Sequence, residues 1–266
     1  QACGINAILA RKLGDDGLPS AWLEPAVRGL GADTFMVREV TRRLSQLEVV
    51  RWVAPEDDGS FGLEPPRIVV SALVAGSDGA EQRVVLRLGA LTDEGPYARF
   101  GDRPEVFIAP KELERSVGRW LLDTSSFVPP LAEIDRLEAK LGARSLLLER
   151  DGPKLVVRLD GQPAGESVTS ELRDAVASMR PMGVVSVGSA LPAQGLDAPL
   201  LRVLVTPRVK SSGPGAPIPS EPIRIEVGAG DTYQGISVHY ARRSDVDATF
   251  AVPQAGFRTL LELLSD

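Results

Sequence analysis

The sequence predicts an α+β protein of two tandem similar domains, residues 1–123 and 124–266, each an antiparallel β-sheet with a hairpin and two packed helices. Three observations predict it. Tyr97-Ala98-Arg99, followed by Asp102, Phe107 and Pro110, returns at the same spacing as Tyr240-Ala241-Arg242 with Asp245, Phe250 and Pro253. Upstream, Gly62-Leu63-Glu64 with Pro66 is echoed by Gly195-Leu196-Asp197 with Pro199, and a strand-like run ending at Gly89 by one ending at Gly228. Landmarks kept in one order predict an internal duplication. From Arg67, and again from Leu201, the chain becomes short β-branched and aromatic runs bounded by Gly, Asp or Pro. Strands joined so briefly form an antiparallel meander, because parallel strands need long crossovers.

Composition narrows the function classes. Half of 266 residues is enough chain to bury a core, and 43% apolar with 25% charged residues is a globular rather than a disordered balance. The net charge of -6 comes with no Lys/Arg stripe, so nucleic acid is not an expected partner. Cys3 is the only cysteine, which excludes an intramolecular disulfide and a thiolate metal cluster. No apolar run approaches the length of a membrane-spanning helix. The absence of an initiator Met suggests a trimmed segment. Ala2-Cys3-Gly4 resembles the end of a bacterial lipoprotein signal, with Cys3 as the residue that would be acylated.

The elements follow in order. Ile5, Ile8, Leu9 and Leu13 have helical spacing over residues 5–13, with Gly14 as a stop. Asp15-Asp16-Gly17 reads as a turn and Trp22-Leu23-Glu24-Pro25 as a short strand. Asp33 is placed to cap a helix whose apolar face carries Met36, Val37, Val40, Leu44 and Leu47. Strands are expected at 49–53, 68–74, 83–88, 96–100 and 105–109, with a turn at Glu56-Asp57-Asp58-Gly59. Pro110 then opens a helix at its first position, with Leu113, Val117, Trp120 and Leu121 on one face.

The second half follows the same plan. Residues 145–149 and 154–159 flank Asp151-Gly152-Pro153 as a hairpin, and residues 170–179 form a helix with Leu172, Val176 and Met179 inward. Val184-Val185 corresponds to Val49-Val50. Strands begin at Leu201, Ile223, Ser237 and Thr249, and Pro253 opens a last helix with Phe257, Leu260, Leu261 and Leu264 inward. Residues 131–141 stay open between a helix, from the spacing of Ile134, Leu137 and Leu141, and a strand leading into the hairpin. The Gly/Pro/Ser-rich stretch 210–222 is longer than its counterpart and suits an exposed loop.

Candidate chemistry is sparse. His239 is the only histidine, so a zinc site needing two imidazoles is excluded. Ser237 lies on the same side of the same strand, but Gly-x-Ser-x-Gly is missing, and a plain polar strand position is the better account. Asp15-Asp16, Asp57-Asp58 and Asp93-Glu94 lack the alternating spacing of a calcium loop and read as turn carboxylates. Gly228-x-Gly230 follows a strand without the third Gly or the helix of a phosphate site. In both Gly-Leu-acid-x-Pro motifs Gly bends the backbone, Leu plugs the core and Pro begins a strand. Arg99 and Arg242 are expected to stack on Tyr97 and Tyr240. No catalytic, cofactor-binding or metal residue is assigned, and no cofactor is expected.

Taken together, a strand with Trp-x-x-Pro, a capped helix, Gly-Leu-Asp/Glu-x-Pro, a strand ending in Gly, Tyr-Ala-Arg and Phe-x-x-Pro resemble the bacterial domain-of-unknown-function 4340 family from about Trp22 to the C-terminus. In that family such domains typically follow one N-terminal membrane anchor and are encoded beside gliding-motility-type ABC transporter components. The resemblance implies an extracytoplasmic accessory protein on the periplasmic side of the inner membrane, with a membrane protein complex as partner. It transfers no catalytic residue, and the anchor is not in this stretch. The expected function is therefore a non-enzymatic interaction module, using sheet edges, the groove between the halves and the 210–222 loop. The alternatives are a small-molecule or glycan-binding protein with its site between the two repeats and, last, an enzyme using His239 with Ser237.

Overall fold

The computed structural model describes residues 10–13, 19–23, 31–75, 81–101, 103–125, 127–152, 154–208 and 221–265. The fold is α+β with antiparallel sheets. The described residues form two compact units, one made of those within 10–23 and 32–121, the other of Gly31 and those within 122–265. Among the described residues no helix is long and apolar enough to cross a membrane.

The first unit begins with β1 (Ala10–Leu13) and β2 (Pro19–Leu23), an antiparallel hairpin in its own two-stranded sheet. Ala10–Leu13 is thus not the end of a helix. Its pairing with β2 supplies long-range hydrogen bonds that a short apolar spacing cannot reveal. Residues 1–9, with Cys3, and 14–18, with Asp15-Asp16, lie outside the described residues. Helix α1 (Thr34–Ser45) is capped by Asp33, whose Oδ1 accepts from the Met36 amide at 3.0 Å. It buries Val37 and Val40 against Ala32 and Leu121. Leu47 lies beyond its end and joins the sheet core instead.

Strands β3 (Arg51–Ala54), β4 (Ile68–Ala75), β5 (Glu81–Leu91), β6 (Pro96–Phe100) and β7 (Val106–Ile108) form an antiparallel sheet in the order β3-β7-β6-β5-β4. One cross-strand row runs Trp52, Phe107, Ala98, Leu88, Ile68. Helix α2 (Lys111–Val117) has Pro110 as its cap rather than its first residue, and it stops where the Gly118 amide bonds the Glu114 carbonyl at 2.8 Å. Trp120 and Leu121 therefore lie outside the helix. Leu121 instead accepts from the Asp33 amide at 2.9 Å, joining the two helix segments. The core of Leu86, Leu88, Ala98, Phe107, Ala109 and Leu113 is almost fully buried. Each larger side chain of that kind contributes about 1.5–3 kcal/mol.

In the second unit, a 3-10 turn (Leu131–Glu133) leads into β8 (Ile134–Leu141), followed by β9 (Arg144–Asp151), β10 (Lys154–Leu159) and the two-residue β11 (Gln162–Pro163). The open question over 131–141 resolves as a strand. Ile134 and Leu137 are both buried because the register with the neighbouring strand shifts beside Ile134, and this irregularity imitates helical spacing. Helix α3 (Glu166–Ser178), β12 (Gly183–Val187), β13 (Leu201–Pro207), β14 (Ile223–Tyr233), β15 (Ile236–Arg243), β16 (Ala248–Pro253) and α4 (Gln254–Ser265) complete the unit. Pro253 ends β16 rather than opening α4. Of the 210–222 loop only Glu221 and Pro222 are described.

The sheet order is β11-β10-β9-β8-β13-β14-β15-β16-β12. Its portion β12-β16-β15-β14-β13 has the connectivity of β3-β7-β6-β5-β4. Beyond β13, the second sheet continues into β8, whereas the first ends at β4.

Candidate functional site

Each of the two large sheets carries a turn pressed onto a strand. Gly62 (φ +66°) and Gly195 (φ +64°) are left-handed, a conformation that side chains resist. A Cβ on them would stand 3.1 Å from the Ala90 nitrogen and 2.9 Å from that of Ala229. The following Leu63 and Leu196 are buried. Pro66 and Pro199 each sit two residues before a strand, not at its start.

In the first unit this turn brings Glu64 over the sheet. Its Oε1 accepts from Arg99 Nη2 at 2.7 Å and from Arg87 Nη1 at 2.9 Å. Arg87 and Arg99 are directly opposed on β5 and β6, and like charges so placed repel. Glu64 offsets that repulsion. The Arg99 guanidinium, helped by Arg87, holds the Glu64 carboxyl below the usual carboxylate range. Arg99 is also paired with Asp57 at 3.6 Å. The expected stacking of Arg99 on Tyr97 is not what the structure shows. The Tyr97 ring meets Phe61 edge-on at 4.9 Å, and Arg99 turns to carboxylates.

In the second unit Arg242 likewise takes polar partners, the Gly188 carbonyl at 2.6 Å and Asp247, rather than the Tyr240 ring. The Tyr240 hydroxyl donates to Asp231. Burial first, and the adjoining Asp231 second, push the Tyr240 phenol up to about 12, while this hydrogen bond lowers Asp231. Gln194 is buried, accepting from the Leu191 amide at 2.9 Å and from Thr249 Oγ1 at 3.2 Å and donating to Ser186 at 3.2 Å. Arg243 is buried too, held by both oxygens of Asp245 and donating to the Phe127 carbonyl at 3.1 Å.

The other sequence candidates have local roles. His239 Nδ1 lies 3.2 Å from the Gly228 carbonyl, which can only accept, so this nitrogen carries the proton. Its ring meets Phe257 edge-on, and Ser237 is exposed. Gly228 and Gly230 do not follow a strand but lie inside β14, where the register shifts. Asp57 and Asp58 accept from the amides of Gly59 and Ser60, and Glu94 pairs with Arg51 at 2.8 Å. Among the described residues, no group of three or more His, Cys, Asp or Glu side chains is placed to hold a metal ion.

A cleft of about 400 Å³ lies within the second unit, lined by Asp135, Arg136, Glu149, Arg150, Asp151, Val156 and Arg158. Arg136 pairs with Glu149 at 2.8 Å, and Arg150 donates to the Leu131 carbonyl at 3.1 Å. Trp and Tyr do not line it. The partners of Arg99 and Tyr240 were beyond sequence reasoning, since Glu64 and Asp231 reach them only through the turn and the strand register.

No curated protein and no solved structure matches the chain. The model of one family, described as a domain of unknown function (DUF4340), matches residues 22–199. The chain, with its left-handed Gly62 and Gly195 turns seated on antiparallel sheets, belongs to that DUF4340 family.

Proposed function

We propose that this protein is a non-enzymatic interaction module of the cell envelope, facing the periplasm and serving as an accessory of an ABC transporter or a related membrane assembly. The observation that carries the reading is Trp52, which is 62% exposed on edge strand β3 while its ring is braced edge-on against Phe107 at 5.6 Å. Tryptophan is enriched among the few residues that carry most of the binding energy of protein interfaces. The commitment of Arg99, Arg242, Gln194 and His239 to carboxylates, backbone and neighbouring side chains supports recognition by shape rather than by reaction. The transporter and the compartment come from the family resemblance.

We read the two units as tandem copies of one ancestral domain. The shared order of five strands supports this, as do the paired turns at Gly62 and Gly195. Site-specific photo-crosslinking from position 52 in intact envelopes tests the functional reading. A crosslinked transporter component is the expected product, lost when the probe moves to exposed Ser60; equal labelling from both positions would overturn it.

A further inference from the structure

Sheet edges invite another strand, and proteins blunt them with short strands, bulges, prolines or charges. Three edges of the two large sheets are blunted so. β3 has four residues, with Arg51 and a register shift after Trp52. β12 is interrupted after Val184, and β11 is two residues ending in Pro163. β4 is different. Its eight residues, Ile-Val-Val-Ser-Ala-Leu-Val-Ala, hold no charge, proline or glycine and pair with β5 without a register break. Among the described residues nothing pairs with its outer edge.

The second sheet shows what such an edge can accept. There β13 stands where β4 stands, and its outer side is taken by β8 running antiparallel, with Ala139 opposite Val203 and Leu137 opposite Val205. Leu201, Val203 and Val205 are consequently 0% exposed, whereas Ile68, Val70 and Ala72 are only half-buried and Val69 is 55% exposed. Charge narrows the occupant. On the face opposite the helices, exposed Arg83 leans from β5 over β4 to within 3.5 Å of Ser71 Oγ. A strand laid beyond β4 would meet that guanidinium.

We infer that the outer edge of β4 is a strand-acceptor site for an extended segment of a partner protein, apolar at alternate positions toward the helices and acidic at the positions between. A second copy of β4 would present Val69 and Ser71 to Arg83 and satisfies its charge less well. The inference rests on the interaction-module reading and gives it a ligand class.

The test uses the full chain and a peptide of the β8 sequence Ile134–Leu141 carrying Arg136→Glu and Lys140→Glu. Amide exchange across β4 is followed by NMR. At saturating peptide the solvent-facing β4 amides should slow at least about tenfold, and Arg83→Glu should weaken binding about threefold or more at low salt. A peptide N-methylated at alternate residues, with the same side chains but without the donors, should do nothing. The inference is overturned by unslowed exchange, by equal action of the methylated peptide, by protection that grows with protein concentration alone, or by protection already complete without peptide. The crosslink from position 52 reports on a different edge, so either result can fail while the other stands.

Discussion

Gly228 lies so close to Gln194 that a Cβ on it would stand 2.1 Å from the Gln194 carbonyl oxygen, and Gly89 stands in the same relation to Phe61, at 2.3 Å. Real Cβ atoms never approach a backbone oxygen so closely, and the obstacle is main chain rather than a flexible side chain. Gly89→Ala and Gly228→Ala should each push the turn off its strand and cost about 1–3 kcal/mol. Urea denaturation should show a lowered midpoint for both variants. Gly142→Ala, at a left-handed turn with open space around it, should leave the turn in place and cost less.

Asp33 should be separable from that core. Its carboxylate satisfies one otherwise orphaned amide at the start of α1, so Asp33→Ala should cost about 1 kcal/mol and Asp33→Asn much less. Thermal unfolding of the two variants checks it. Equal losses would assign the effect to charge rather than to the hydrogen bond.

The contrast between Asp33 and Arg99 shows what one sequence can disclose. Asp33 was legible because a cap and its partner are three residues apart. The meander from β4 to β7 was legible because alternation and turn residues are local as well. The end of α2 was not: Trp120 and Leu121 extend an apolar spacing that Gly118 had already closed. Arg99 was misassigned to its neighbour Tyr97 because Glu64, its true partner, is 35 residues away and is delivered by the Gly62 turn. The β4 edge could not be read at all, since an edge is a property of the completed sheet.

Arg243 should prove a structural ion rather than a surface one. Arg243→Ala leaves the Phe127 carbonyl without its 3.1 Å donor and removes the main cause that lowers Asp245. We expect a loss of about 1–3 kcal/mol in urea, partly restored by Arg243→Lys, which keeps the charge but not the two-pronged contact. NMR titration should show the Asp245 carboxyl rising toward its ordinary 3.8. Because the folded value is depressed, the stabilisation from this pair is present above 3.8 and fades as the pH falls, so the two proteins should converge in acid.

Tyr240 gives the opposite sign. Its folded value of about 12 lies above the ordinary 10.0, so the folded chain holds this proton after the unfolded chain has lost it. The resulting stabilisation is complete below 10.0 and is lost as the pH rises toward 12. Ultraviolet titration of the phenolate, taken as the difference between wild type and Tyr240→Phe, should isolate one transition near 12. Asp231→Asn removes the carboxylate charge but leaves burial, the largest single cause, in place, and should move that transition only partway back toward 10.0. A full return to 10.0 would make the Asp231 hydrogen bond, not burial, the dominant influence on the ring.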